Sequence, residues 1–198
     1  AAHQELLNAK GKETKRKLEF PLVVKLESGE LPHKTEHNAV RLGIRDDKAL
    51  AAAVKSLAGI AKRQKLTNWS VVAQEMISFD DSLELLVGLV VDHVAGPVLT
   101  LGAGGVLAEL FDKHAHALCP ITGEHARAMI EQIGVRKIVD GYRGRPALDE
   151  NSLIDTLVAV SRFGYEYRDT LLELDLNPII VPPAGSPTTI VDALARFG

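Results

Sequence analysis

Residues 172–178 read Leu-Glu-Leu-Asp-Leu-Asn-Pro. Glu173, Asp175 and Asn177 alternate there with three leucines. Successive side chains of a strand point to opposite faces. The spacing therefore predicts leucines turned into a core and two carboxylates and an amide gathered on the other face. A hard cation such as Mg²⁺ takes oxygen ligands of this kind. Further on, Ile190-Val191-Asp192-Ala193 reads as a strand returning after a Pro/Gly/Ser turn. Paired antiparallel, the two strands set Asn177 beside Asp192. Mg²⁺ is commonly held by one or two protein groups, with phosphates and waters completing the octahedron. The set thus suits a metal–nucleotide site better than a closed cage. The plainer alternative is a half-exposed edge strand with solvated polar residues, and Pro178 is consistent with a strand end.

Other residues have chemistry available to them. Lys25 interrupts the apolar run Leu22-Val23-Val24-Lys25-Leu26. It either snorkels from an edge strand or is a rigid point charge against phosphates. His33, in Leu31-Pro32-His33-Lys34-Thr35-Glu36, is either an exposed loop histidine or a nucleophile toward phosphorus. The remaining histidines, among them His37, His93, His114, His116 and His125, show no metal-ligand spacing. Gly102-Ala103-Gly104-Gly105 lacks the Lys-Ser/Thr of a P-loop and leads into no helix, so a tight turn and a phosphate loop weigh equally. Glu109 follows and could approach the same metal. Gln74-Glu75-Met76 closes a strand whose backbone could meet an adenine edge, although Glu75 alone reads as an ordinary exposed residue.

The elements that must position these residues alternate irregularly. A basic amphipathic helix is expected over 4–18, with Lys10, Lys12, Lys15, Arg16 and Lys17 as its solvated face. Strands follow over 20–26 and 39–44, then a helix from about Lys48 to Arg63 that starts at Asp46-Asp47. Strands are expected over 69–77, 83–91 and 97–101. Short strands over 106–111 and 115–119 would form a hairpin. Helices over 122–133 and 149–167 and a strand over 171–181 complete the chain. This mixture indicates an α+β fold. The lobe boundary is placed between Gln64 and Trp69, giving lobes 1–68 and 69–198.

The bulk composition excludes several classes. At 198 residues there is room for one sizeable domain or two small lobes. A net charge of −3 gives no nucleic-acid surface. The single cysteine, Cys119, precludes an intramolecular disulfide and fits a reducing cytoplasm; packing is its expected role. No apolar run is long enough to span a bilayer.

Taken in order, several motifs resemble one family. They are Phe20-Pro-Leu-Val-Val-Lys-Leu, Leu31-Pro-His-Lys-Thr-Glu, Val72-Ala-Gln-Glu-Met, Leu83-Glu-Leu-Leu-Val-Gly, Gly96-Pro-Val, Gly102-x-Gly-Gly-Val-x-x-Glu109, Gly141-Tyr-Arg-Gly and Glu173-Leu-Asp-Leu-Asn-Pro. As a set they resemble the ATP-grasp part of NDP-forming acyl-CoA synthetases, which include ADP-forming acetate–CoA ligases and are related to succinyl-CoA synthetase. The resemblance runs from about Lys17 to the C-terminus. It implies a two-lobed ATP-grasp fold with mixed, largely antiparallel sheets, lacking its first segment.

The resemblance also implies roles. Lys25 falls at the nucleotide-phosphate lysine, and Glu75 in the hinge segment beside the adenine. Asn177 and Asp192 match the Mg²⁺ ligands, and Asp175 an acidic residue that steadies a phosphohistidine. His33 matches the histidine that carries phosphate between the acyl-CoA site and ATP or ADP. CoA would be bound by a domain or subunit not in this chain, with a carboxylic acid as co-substrate, in an oligomeric cytoplasmic ligase. Three departures stand out: Asn38-Ala39 replaces a Gly-Gly pair, Lys113 an Asp, and Ala117 an Arg. Losing a cationic phosphate contact costs on the order of 2–4 kcal/mol of transition-state stabilisation. A catalytically weakened regulatory or scaffolding module is therefore the second reading, and an amide-forming ATP-grasp ligase the third.

Overall fold

The computed structural model describes residues 3–7, 13–31, 37–105 and 113–198, with the main chain only for 3–7 and 13–17. The chain divides into two compact units, Ala1–Ser78 and Phe79–Gly198.

The first unit opens with β1 (His3–Leu7) and β2 (Glu13–Lys17), an antiparallel pair. This corrects the helix expected over 4–18. Gly11 sits mid-segment and costs a helix interior roughly 1 kcal/mol relative to alanine, whereas a two-strand ladder satisfies the same backbone groups. β3 (Leu22–Glu27) then lies between β4 (Val40–Ile44) and β5 (Ser70–Glu75). Helix α1 (Asp47–Arg63) covers one face of this sheet. Asp46 caps it, accepting from the Ala49 N–H at 2.7 Å, with Asp47 in the first turn and Lys62 and Arg63 in the last. Ala53, Leu57, Ile60 and Ala61 recur at helical spacing and pack against Leu22, Val24 and Leu26. Because β5 pairs with β3 over its full length, it belongs to this unit. The division at Ser78/Phe79 thus lies downstream of the boundary expected between Gln64 and Trp69.

The second unit is built on a sheet ordered β10-β9-β6-β7-β8, with β11 also paired to β9. Its strands are β6 (Leu83–Asp92), β7 (Gly96–Ala103), β8 (His114–Leu118), β9 (Leu171–Val181), β10 (Thr189–Ile190) and β11 (Ala193–Phe197). All pairings are antiparallel. Three helices follow β8: α2 (Gly123–Gln132), the single turn α3 (Arg136–Val139) and α4 (Glu150–Glu166). Thr122 and Asp149 cap α2 and α4. α2 and α4 pack on one face of the sheet. There Leu85, Val87, Leu89, Leu99, Leu101 and Ala115 meet Ile130, Leu153 and Leu157 in one core. Gly164 lets α4 settle directly on β6, since a Cβ at that position would overlap the Leu89 side chain. Arg136 fastens the helices together, bonding Glu131 at 2.7 Å, Asp140 at 3.3 Å and Glu150 at 2.7 Å. No helix among the described residues is long and apolar enough to cross a membrane.

The strands over 39–44, 83–91 and 171–181 and all three long helices lie where the sequence puts them. In the expected hairpin over 106–119, β8 is present and pairs with β7, while residues 106–112 lie outside the described residues.

Candidate functional site

β9 carries the oxygen-bearing face. Leu174 and Leu176 turn into the core, and Glu173, Asp175 and Asn177 turn the other way. Leu172 departs from the expected alternation. β11 pairs Arg196 with Glu173 but Phe197 with Leu171, so Leu172 is an extra residue in the ladder and is 43% exposed.

A second irregularity builds the site. β6 pairs Leu85 with Ile179 but Val87 with Leu176. On the other edge Ile190 lies opposite Ile179 and Ala193 opposite Leu176. The register on this edge is continuous, so Asn177-Pro178 faces Val191-Asp192, while the bulge lies on the β6 side of the same two residues. The Asn177 N–H donates to the Asp192 carbonyl at 3.2 Å, and the Val191 N–H to the Pro178 carbonyl at 3.0 Å. Pro178 has no N–H to contribute, so a bulge suits it. The main chain thus holds Asn177 and Asp192 side by side, as the strand pairing predicts. The Ala193 N–H donates to Asp192 Oδ1 at 3.1 Å, fixing that carboxylate.

Asp175 lies next to this pair. Partial burial, which strips water from the charged form, and then the like charges of Asp192 and Glu173 push its carboxyl above the ordinary value. Glu173 is partly neutralised by Arg196 at 3.4 Å. Among the described residues, no three His, Cys, Asp or Glu side chains converge as a protein-only metal cage. An amide, a carboxylate and external oxygens are the donor set that Mg²⁺ accepts.

The raised Asp175 value has a consequence for stability. Native Asp175 takes its proton at higher pH than the unfolded chain does. Its contribution is fully favourable below the ordinary carboxylate value and is lost as pH rises through the native one. Asp175→Asn is therefore expected to raise the melting temperature of metal-free chain at neutral pH. The difference should vanish below the ordinary carboxylate value, which thermal melts in chelator across pH will check.

Lys25 is 5% exposed in the central strand of its sheet, between Val40 and Val72. This excludes the snorkelling edge lysine. Its side chain and that of Val23 point away from the α1 face, which Leu22, Val24 and Leu26 occupy. Glu75 is half-buried rather than exposed, and its Oε1 accepts from the Glu19 N–H at 3.1 Å. His33 and Glu109 lie outside the described residues. Glu30 accepts from Thr67 Oγ1 at 2.7 Å and from the Asn68 N–H at 3.0 Å.

The glycine-rich turn is explained by packing. The Gly104 N–H donates to the Glu84 carbonyl at 2.9 Å. A Cβ on Gly105 would lie 2.8 Å from the Glu84 carboxylate. Nearby, Tyr142, Arg143 and Arg145 border a cleft of about 550 Å³ with Glu84 and Gly104.

Two departures from the family pattern find structural accommodation. Asn38 has φ 50°, a conformation asparagine tolerates better than most residues. Ala117 lies opposite Leu99 and packs against the helix-covered core, on the face away from Asp175. Lys113 is exposed just ahead of β8.

Sequence reasoning passed over Gly88, Thr100 and His116. Register places all three in one row with Asp175 on the face opposite the helices. The His114-x-His116 alternation was the available signal, but only strand pairing shows where it leads.

The second unit is thus an antiparallel sheet with helices on one face and Glu173, Asp175 and Asn177 on the other. The chain belongs to the ATP-grasp domain family, whose model matches residues 8–196. It is 32% identical over 163 residues to the ADP-forming acetate–CoA ligase of Methanocaldococcus jannaschii, covering 80% of this chain and 23% of that protein. It is 29% identical to the beta subunit of ADP-forming acetate–CoA ligase I of Pyrococcus furiosus, over 81% of this chain and 68% of the subunit. The chain thus spans about a quarter of the length of the first relative and two thirds of the second. Among solved structures it is similar to dinucleotide forming acetyl-coenzyme A synthetase 1 of Ca. Korarchaeum cryptofilum in complex with coenzyme A and Ca-AMPCP. The TM-score is 0.80 at 29% identity, with 91% of this chain and 78% of that chain covered. A second structure of that protein holds Mg-AMPPCP, with its phosphohistidine segment pointing towards the nucleotide binding site.

Proposed function

We propose that the chain is the nucleotide-binding ATP-grasp part of an NDP-forming acyl-CoA ligase. The observation that carries this reading is the pairing of β9 with β10 and β11, which sets Asn177 against Asp192 near Asp175 on the helix-free face. In this reading Asn177 and Asp192 hold Mg²⁺, which neutralises phosphate charge when bound. Lys25 contacts the nucleotide phosphates, and the Glu75 segment borders the adenine. His33 accepts phosphorus at an imidazole nitrogen as the bond to the leaving oxygen breaks, and Asp175 steadies the resulting phosphohistidine.

The ligase joins a carboxylic acid to CoA through an acyl phosphate. CoA is bound by a separate domain or subunit, in an oligomeric cytoplasmic enzyme. The beta-subunit relative supports a partner of this kind. The orientation of Ala117 and the backbone of Asn38 weaken the case for a purely regulatory module.

The test supplies a CoA-binding partner domain from a relative together with Mg-ATP labelled in its γ-phosphate. Acid-labile, base-stable label is expected on His33 and none on His33→Gln. A chain that takes up no label with any partner or nucleotide would end the ligase reading.

A further inference from the structure

The loop between α3 and α4 contains an arginine in a conformation that favours glycine. Gly141 has φ 90° and Gly144 φ 83°, and a Cβ on Gly141 would lie 2.8 Å from the Arg145 carbonyl. Glycine takes such positions without strain. Arg143 stands between them at φ 52°, where an L side chain crowds its own backbone. The turn is closed by the main chain. The Arg145 N–H donates to the Tyr142 carbonyl at 3.2 Å, and the Leu148 N–H to the Val139 carbonyl at 2.8 Å. The Arg143 side chain returns little. Its guanidinium lies 5.3 Å from the Tyr142 ring centroid, a weak contact where both groups are exposed. It forms no hydrogen bond or ion pair among the described residues. A glycine would hold this turn with less strain, so stability does not account for an arginine at 143. Strain kept at such a position points to a use for the side chain.

The cleft beside this loop holds a second unsatisfied charge. Glu84 is half-buried near the start of β6. Its carboxylate lies close to Gly105, and it makes no hydrogen bond or ion pair among the described residues. A carboxylate in that state has lost water and gained no donor. Arg143 and Arg145 line the same cleft of about 550 Å³. Neither pairs with Glu84, and Arg145 reaches only Asp81, at 3.9 Å between exposed side chains. Leu83, Ile138 and the Tyr142 ring add apolar wall. A polyanion would suit the arginines and be repelled by Glu84. A cation would suit Glu84 and be repelled by the arginines. The ligand that satisfies both carries one negative group, one positive group and an apolar body. A free α-amino acid with an apolar side chain has all three. Its carboxylate matches the planar guanidinium, its ammonium matches the carboxylate of Glu84, and the cleft has the volume of a small-molecule site.

We infer that this cleft binds an α-amino acid with an apolar side chain, its carboxylate on Arg143 and Arg145 and its ammonium on Glu84. The cleft shares no residue with the proposed metal–nucleotide set, so the test is run without nucleotide or metal. Leucine, N-acetyl-leucine, leucine amide and inorganic phosphate are titrated calorimetrically into wild-type chain, Arg143→Gly and Glu84→Gln. The melting temperature of each protein is measured without ligand. Leucine should bind wild type, and the two derivatives, each lacking one charge, should bind about tenfold more weakly or worse. Arg143→Gly and Glu84→Gln should each lower leucine affinity by about tenfold. Neither variant should melt below wild type, because glycine relieves the φ at 143 and glutamine replaces a carboxylate that has no partner. Derivatives that bind as tightly as leucine would overturn the inference. So would phosphate that binds more tightly than leucine and gains affinity in Glu84→Gln, which would make the cleft an anion site. Failure of leucine, valine, methionine and phenylalanine alike to bind wild type would also overturn it. The derivatives are tested on wild type, so the outcome does not depend on either variant folding.

Discussion

Asn177→Ala and Lys25→Met are each expected to abolish the thermal stabilisation that Mg-ADP gives the chain. For wild type, nucleotide at about a hundred times its dissociation constant should raise the melting temperature by roughly 5–10 °C. The Asn177 side chain is exposed, and its main-chain bonds with Asp192 survive substitution. Alanine there should leave the unliganded chain as stable as before and remove one of the two proposed metal ligands. Lys25 is buried in a central strand. Methionine keeps most of the stem that fills that space and removes the charge. A full shift retained by both variants in scanning calorimetry would show that neither residue touches the nucleotide or its metal.

The largest structural effect is expected where α4 meets β6. Gly164→Ala improves helix propensity by about 1 kcal/mol, yet it should destabilise the chain by about 1–3 kcal/mol through overpacking against Leu89. Leu89 is fully buried, so its whole isobutyl group would have to move within a filled core. Leu89→Ala alone should cost about 2–5 kcal/mol. Together the two substitutions should cost clearly less than their sum, because the new methyl occupies part of the vacated space. Urea denaturation of the four proteins measures the coupling. Strict additivity would mean that Gly164 does not serve close approach.

Much of this was legible in the chain. Asp46-Asp47 announces the start of α1, amphipathic spacing announces α2 and α4, and alternation announces β9. The side-by-side placement of Asn177 and Asp192 follows from two strands joined by a turn. What escaped depends on partners distant in sequence. Lys25 cannot be assigned to a centre or an edge until β4 and β5 are known to flank β3. Leu172 is exposed because β11 imposes a bulge that β9 alone does not encode. The turn α3 has no side-chain cap, and Arg136 holds it through Glu131 and Glu150. The basic segment over 4–18 carried a helical charge pattern, and the ladder of β1 and β2 prevailed over it.

The sheet of the second unit is one strand thick, and its two faces answer to different demands. Along β6, β7 and β8 every second residue fits against α2 and α4, and the residues between them meet whatever the helix-free face receives. Neighbouring positions such as His116 and Ala117 are therefore free to diverge independently. Selection for a new ligand works on one set of alternating positions, while the fold is maintained by the other.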